Sequence, residues 1–509
     1  MAAGRRKNLV FLCVDQMRYD ALSSSGNKAV HTVNLDRIAQ RGMVFHRHHT
    51  PNQICSPSRA TMATGLYPRT HGLTRNGIAL PGRHPTLWSM LKAKGLATHA
   101  IGKLHYQPLL APIDNNMPES LAFWSTRNAA AWSGPYFGFD AVELVLGEAN
   151  ESTKAGHYAQ WLKDTHPEAV GLYEPQAWSS SQASDLKEIW NSAIAAHLHY
   201  THWIADRAVA AIEQHAHGDG FCIFASFPDP HHPFSPPAPY CDMFDPAAVP
   251  APTVVPGELD RMPSYLQHGD DPAKDAYIQS GERVREQGFM LRTDRISAAT
   301  MQRVVAHTYG SVRMIDDAVG RILDALDSRG LADETVVIFT SDHGELLGDH
   351  GLLRKGPPPY RQLLQVPMLV CGPGIRQGGA SHALTSHLDF LATVTALFDL
   401  EPVVNEGLDL SGILQGRDRE VRERLFAEYH PRADARVYNQ SVITDRWRFT
   451  WYPNEPAWGE LFDRANDPWE HRNLFADQHL QATVAQLRDR LLSEMPAAPD
   501  AGAPVLGAY

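Results

Sequence analysis

The sequence predicts an α/β fold: a large mixed, mostly parallel sheet sandwiched by helices, followed by a small C-terminal α+β domain. Three observations predict it. Short apolar, β-rich runs alternate with long amphipathic stretches, the pattern of a sheet covered by helices. From about Asp409 the texture changes to short strands and one terminal helix. Ionisable residues gather just after four of the strands, where open α/β sheets place their ligands.

The clearest strands are Leu9–Val14, Ala97–Ile101, Phe221–Phe227, Thr335–Thr340 and Pro367–Val370. Arg5, Arg6 and Lys7 precede the first run, but it is too short for a signal-peptide core and no small-residue cleavage site follows, so it reads as a buried strand. Ser184–His215 and Ala298–Ser328 keep apolar residues at helical spacing, the second stopped by Gly330. Residues 106–183, rich in Gly, Pro and aromatics, and 228–265, heavy in proline, read as long irregular connections that shape the mouth of a site. Trp124, Trp132 and Tyr136 are candidates for a ring-binding wall there. We divide the chain into 1–405 and 406–509. Strands at Ser441–Ile443 and Arg446–Trp451 and a helix near Gln478–Glu494 fill the second part, and the Ala/Pro/Gly-rich tail after Pro496 is a candidate subunit contact in a homo-oligomer.

Bulk properties exclude several function classes. At 509 residues the chain exceeds one compact core. A formal net charge of −11 argues against nucleic acid or a membrane surface as partner, so an anionic substrate needs a local arrangement of cations. No run approaches the ~20 apolar residues of a membrane span. Five scattered cysteines make no disulfide framework, and Cys13, Cys222 and Cys371 sit in apolar runs as small core residues. The expected location is cytoplasmic.

Reading the strand ends gives Asp15-Gln16, Gly102-Lys103-Leu104-His105, Asp229-Pro230-His231-His232-Pro233 and Ser341-Asp342-His343-Gly344-Glu345. Singly, each is as readily a helix cap or a solvated loop. Together, Asp15, Gln16, Asp342 and His343 offer three oxygen donors and one imidazole, a set suited to Ca²⁺, Mg²⁺ or Mn²⁺, with the histidine favouring Mn²⁺. In Cys55-Ser56-Pro57-Ser58-Arg59, Ser56 is the expected N-cap and Pro57 the first helical residue, with Gly65 as the stop. Cys55 then lies at a helix N-terminus that favours negative charge, with Arg59 one turn on. A merely structural cysteine at a loop–helix junction is the plainer alternative. His46, His48 and His49, just before the motif, read as structural residues with solvated tips, and Trp190, His197, His199 and Trp203 as packing on a long helix.

At Cys55-x-Pro57-x-Arg59, continuing through Ala60–Pro68, the chain resembles the type I sulfatases of the alkaline phosphatase superfamily. Further landmarks fall in the order of that family: Ile101–His105, Pro230-His231-x-Pro233, Phe339–Gly344, Gly348–Gly351, Lys355, and the C-terminal Glu460–Asp463 and Asp467–Leu474. The resemblance implies an alkaline phosphatase-like fold with a catalytic domain over 1–405. It implies that a dedicated maturase oxidises Cys55 to formylglycine (3-oxoalanine), and that Asp15, Gln16, matured Cys55, Asp342 and His343 bind one divalent ion. Arg59, Lys103, His105, His231 and Lys355 would surround the sulfate and the leaving oxygen, His231 with Lys355 protonating the alcohol; Asp349 is a candidate base.

The Asp15-Gln16 and Asp342-His343 pairs, where many sulfatases have Asp-Asp and Asp-Asn, resemble the phosphonate monoester hydrolase and choline-sulfatase-like branches. Asn76 fits a substrate-contact position of the former. Lys103 and His105 follow the sulfatase pattern instead. The expected activity is hydrolysis of a small-molecule or carbohydrate sulfate ester. The alternatives are phosphonate monoester or phosphodiester hydrolysis at the same site, and a non-catalytic anion-binding protein.

Overall fold

The computed structural model describes residues 7–507 except 127–128, 176–184, 217, 219, 268–289, 432–434 and 498–503. Eight strands form the main sheet: β1 (Asn8–Val14), β2 (Gly42–Phe45), β3 (Ala97–Gly102), β4 (Ala141–Leu144), β5 (Phe221–Phe227), β6 (Thr335–Ser341), β7 (Met368–Cys371) and β8 (Gly379–Ser381). Their spatial order is β8-β2-β7-β6-β1-β5-β3-β4. Every pairing is parallel except the two made by β7, so the sheet is mixed and mostly parallel, as expected.

The central strands are apolar throughout because both faces are covered. On one face Val10, Leu12, Ile223, Ala225 and Phe339 pack under α1 (Val33–Arg41), α4 (Tyr200–His215) and α5 (Ala298–Ser328). On the other, Leu9, Phe11, Phe224 and Ile338 pack under α2 (Cys55–Thr64) and α6 (Asp389–Leu397). Parallel alignment brings the carboxyl ends of β1, β3, β5 and β6 to one edge, with Val14 beside Phe227 and Ser341, and Gly102 beside Ser226. Gly102 sits there at φ +99°, where a Cβ would lie 1.9 Å from the Ser226 carbonyl oxygen; only glycine lets β3 end against β5.

The C-terminal domain carries an antiparallel sheet, β9 (Arg424–Tyr429), β10 (Asn439–Thr444), β11 (Trp447–Trp451) and β12 (Gly459–Asp463), with α7 (Gln481–Glu494) packed on it through Leu487 and Leu491. Before β9, Leu410, Ile413 and Leu414 are still buried in the core beneath α6.

Three local expectations change. Within 185–215, after a single 3₁₀ turn at Ala196–Leu198, only Tyr200–His215 is α-helical. His199 is its N-cap, with Nδ1 accepting from Thr201 N, and Ile189 and Ser192 instead pair with the proline-rich Phe234–Pro237 segment. Ser184 lies outside the described residues. Tertiary pairing therefore overrides helical spacing, and Trp190 packs in a connection, donating to Tyr173 O at 3.2 Å. Residues 106–175 are not irregular throughout: β4 adds the sheet's edge strand, and α3 (Gly156–Thr165) follows it. His48 and His49 are fully buried in a two-residue strand paired with Thr385–Ser386 rather than solvated.

Candidate active site

Helix α2 begins at Cys55, not after a Ser56 cap. Ile54 is the N-cap residue and supplies no side-chain acceptor; Asn76 Oδ1 takes the Ser56 N–H from outside at 3.2 Å, and Asn52 Oδ1 takes that of Ile54 at 2.8 Å. Asn76, brought in by the fold, thus replaces the local cap beside the nearby Asn52, and Ser58 Oγ, inside the helix, donates to the Asp342 carbonyl. Gly65 closes the helix at φ +65°, as expected.

Cys55 Sγ faces the ends of β1 and β6. It lies 3.2 Å from His343 Nε2, 3.8 Å from Asp15 Oδ1 and 2.9 Å from Lys355 Nζ. Burial pushes the thiol up to about 12, with Asp15 adding to the rise against Lys355 and Lys103, so it is fully protonated at neutral pH. His343 Nδ1 lies 2.8 Å from Gly344 O, an atom that can only accept, so Nδ1 carries the proton and Nε2 presents its lone pair to the cluster. Burial lowers this imidazole to about 4, which keeps it neutral. Burial works against ionisation of Asp15, but Lys103, His231, Lys355 and Arg59 outweigh it and hold the carboxylate well below its usual range.

Whether these residues fit a divalent ion is decided by the donor set. One ligand atom each from Asp15, Cys55, Asp342 and His343 lies within 4.8 Å of the others. Gln16 is held at φ +66°. Its N–H donates to Asp342 Oδ1 at 3.0 Å and its Nε2 to Glu345, which leaves Oε1 turned inward, 3.0 Å from Lys355 Nζ. That ammonium also sits 3.0 Å from His343 Nε2. A positive charge already rests among donors from Gln16, Cys55 and His343, so the set fits a cation.

Arg59 directs its guanidinium to Asp342 Oδ2 (2.8 Å), Asp15 Oδ2 (3.3 Å), Lys103 O (2.7 Å) and Ser226 Oγ (2.8 Å). It therefore braces the two carboxylates from below. Lys103 Nζ reaches Asp15 Oδ2 at 2.7 Å and pairs with Glu148. His231 donates Nδ1–H to the His232 carbonyl at 2.6 Å, so its Nε2 is an acceptor, 3.0 Å from Lys355 Nζ. His105 is buried in a left-handed conformation (φ +61°), and Glu119 gathers its backbone N–H and that of Tyr106. Asn76 Nδ2 is buried and, among the described residues, has no hydrogen-bond partner.

All eleven expected site residues are thus buried around the strand ends and the start of α2. Asp349 is drawn instead to Arg18 (2.8 Å) and Thr253 N (2.7 Å). The aromatic trio is used in packing: Trp132 lies edge-on to Tyr136, whose hydroxyl donates to Glu119. Glu345 and His232 stood inside the strand-end motifs without a role; Glu148 and Glu119 stood in connections that carry no motif.

Comparison with known proteins decides the family. A sulfatase family profile matches residues 7–400. The chain belongs to the sulfatase family. A second profile, N-sulphoglucosamine sulphohydrolase, C-terminal, matches residues 348–496 of this sulfatase. An arylsulfatase of Clostridium perfringens is 27% identical over 500 residues, 96% of this chain and 94% of the relative. A multifunctional alkaline phosphatase superfamily protein of Trinickia caryophylli is also 27% identical, over 96% and 95%. The crystal structure of a phosphonate monoester hydrolase of Agrobacterium radiobacter superposes with a TM-score of 0.77 at 26% identity, covering 96% of this chain and 95% of that one. The sulfatase thus has the alkaline phosphatase-like architecture. Among its described residues no helix is long and apolar enough to cross a membrane.

Proposed function

We propose that this enzyme hydrolyses a sulfate ester of an alcohol or phenol, with Cys55 matured to formylglycine and one divalent ion (Ca²⁺, Mn²⁺ or Mg²⁺) held by Asp15, Gln16, residue 55, Asp342 and His343. The observation that carries this reading is Cys55 at the first turn of a buried helix, touching His343 and Lys355 and facing Asp15. The ion and the formylglycine would together supply the activated oxygen nucleophile that displaces the alcohol from sulfur.

The chain's own residues do the rest. Arg59 and Glu345 fix the Asp15, Asp342 and Gln16 donors; Lys103, Lys355 and His105 meet the anion, and Asn76 Nδ2 offers it a donor. Because the one proton of neutral His231 is committed to a carbonyl and its Nε2 accepts from Lys355, Lys355 is the proton source, giving an ammonium proton directly to the leaving oxygen while His231 orients it. The maturase is the partner this reading requires.

Mass spectrometry of the Cys55 peptide from the active enzyme should find the aldehyde in place of the thiol. Cys55→Ala should lose on the order of 10⁵-fold in kcat. Wild-type turnover by Cys55→Ala, or by protein carrying only thiol, would remove the nucleophile from this reading. The second reading, phosphonate monoester or phosphodiester hydrolysis, is favoured by Gln16, His343 and Asn76 and by the Agrobacterium radiobacter likeness. The ratio of kcat/KM for an aryl sulfate to that for the matched aryl phosphonate separates the two; we expect the sulfate to be the better substrate.

A further inference from the structure

A cleft of about 300 Å³ opens between the catalytic domain and the C-terminal sheet, and no residue of the catalytic cluster lines it. Three guanidiniums do, Arg47, Arg361 and Arg464, together with His46, His382 and Tyr19. The carboxylate in its lining is Asp445, 75% exposed and paired with Arg47 at 2.7 Å. Arg464 is nearly enclosed, and its nearest carboxylate, Glu470, stands 3.8 Å away while making a closer pair, 3.0 Å, with Arg448. Arg361 turns its Nε to Gln365 Oε1 (2.8 Å) and one terminal nitrogen to Pro468 O (3.2 Å), both neutral acceptors.

Positive charge is therefore concentrated here in a chain whose net charge is −11. One of the three and one neighbour register it. Burial lowers the Arg464 guanidinium to about 10, and Arg47 and Arg361 add to the fall against Glu470. Burial also lowers the adjacent His49 imidazole, with Arg464, Arg47 and Arg361 contributing. The side walls suit a small polar guest: Tyr19 OH meets His46 Nδ1 at 2.6 Å, and the His46 and His382 rings stack at 4.7 Å.

We propose that this cleft is a second anion site that takes a tetrahedral sulfate or phosphate group, free or as an ester, between Arg47, Arg361 and Arg464. Planar forks converging from two domains match such an oxyanion better than a single carboxylate, and binding relieves the mutual repulsion of the three cations. The site also bridges the domains. It does not rest on the catalytic reading.

Calorimetry and a selenate soak test it. Free sulfate should bind in this cleft whether or not the catalytic cluster takes another, and selenate should give an anomalous peak between the three guanidiniums. Inorganic sulfate in the cleft identifies the free anion as the ligand; a cleft site seen only with a monosulfated sugar identifies an ester. Arg47→Gln and Arg361→Gln, at partly exposed positions, should each weaken the second site about tenfold, the scale of one charge-assisted hydrogen bond, and leave kcat on a small aryl ester unchanged. A single site with both probes, with selenate in the catalytic cluster alone, overturns the proposal, as does a second site that neither substitution weakens.

Discussion

Arg59 and Arg448 are both about 1% exposed, and each is held by two carboxylates, yet their surroundings differ. Arg448 pairs with Glu460 at 2.8 Å and Glu470 at 3.0 Å, donates to Thr450 Oγ1, and lies 4.6 Å over the Phe462 ring. Tyr452 takes up the remaining Glu460 oxygen. That network stays within the C-terminal domain and its seam, where Glu470 also accepts Arg361 N at 2.9 Å and Arg448 Nη2 has no hydrogen-bond partner among the described residues. The carboxylates around Arg59 are open: Asp15 also faces Lys103 and Cys55, and Asp342 also accepts from the backbone of Gln16 and His343. A buried ion pair alone does not mark a functional site. Donors beyond what the pair needs, turned toward one point, do.

The contrast is strongest at Arg59. Arg59→Lys keeps the charge but cannot reach four acceptors on β1, β3, β5 and β6 at once, so Asp15 and Asp342 lose their brace. We expect kcat to fall on the order of 10²-fold, the scale of one preorganised electrostatic contact, in protein whose circular dichroism is native. Arg448→Met should do the reverse. It strands Glu460 and Glu470 in the interior at a cost of about 3–5 kcal/mol, read by urea unfolding, while kcat/KM of the folded fraction stays within a few-fold. If Arg448→Met abolished turnover in folded protein, the two networks would not be separable.

This division explains what the sequence made legible. The sheet and the donors at its ends could be read because strands buried on both faces are apolar runs, and the residue after each run must lie at the carboxyl edge. Asp15, Gln16, Lys103, Asp342 and His343 follow from that alone, and Cys55 from its motif. Glu148 and Glu119 could not be read. Both stand in connections without periodicity, and what fixes them is the far end of a hydrogen bond, Lys103 in one case and the His105 backbone in the other. The cap of α2 is hidden for the same reason: Asn76, 20 residues away, does what Ser56 does in a local cap. His199 shows the limit of periodicity, since apolar spacing runs through it while the chain before it pairs with prolines.

Glu119 gives a smaller effect that sharpens the contrast, because it reaches the expected site only through the His105 backbone. Its carboxylate, pushed up to about 7 by burial, accepts from His105 N, Tyr106 N and Tyr136 OH. Glu119→Gln replaces one accepting oxygen by a donor facing other donors, so the left-handed turn at His105 relaxes. We expect kcat to drop about tenfold with a smaller change in KM, since displacement of a positioned group by a fraction of an ångström weakens the transition state more than binding. An unchanged kcat would remove His105 from the catalytic arrangement.

The smallest effect at neutral pH is expected at Glu428, another buried carboxylate, which lies on the seam between the two regions compared. From β9 it accepts Arg69 N and Arg69 Nε, both at 2.9 Å, and His430 Nε2 at 2.8 Å, while its backbone holds Pro51 and Asn52, three residues before Cys55. Burial disfavours its ionised form, but His430 and Arg69 outweigh burial and bring the carboxyl from 4.5 down to about 2. A carboxylate whose folded value is depressed adds stability that is complete above the unfolded value and lost as pH falls toward the folded one. The seam should therefore hold unchanged down to about pH 4.5 and weaken between there and about pH 2. In chemical denaturation at stepped pH, Glu428→Gln should remove that part of the acid slope while remaining active near pH 7, where its amide oxygen still accepts from Arg69. If wild type and variant lose stability in parallel below pH 4.5, Glu428 does not clasp the domains, and the catalytic floor owes nothing to the sheet beside it.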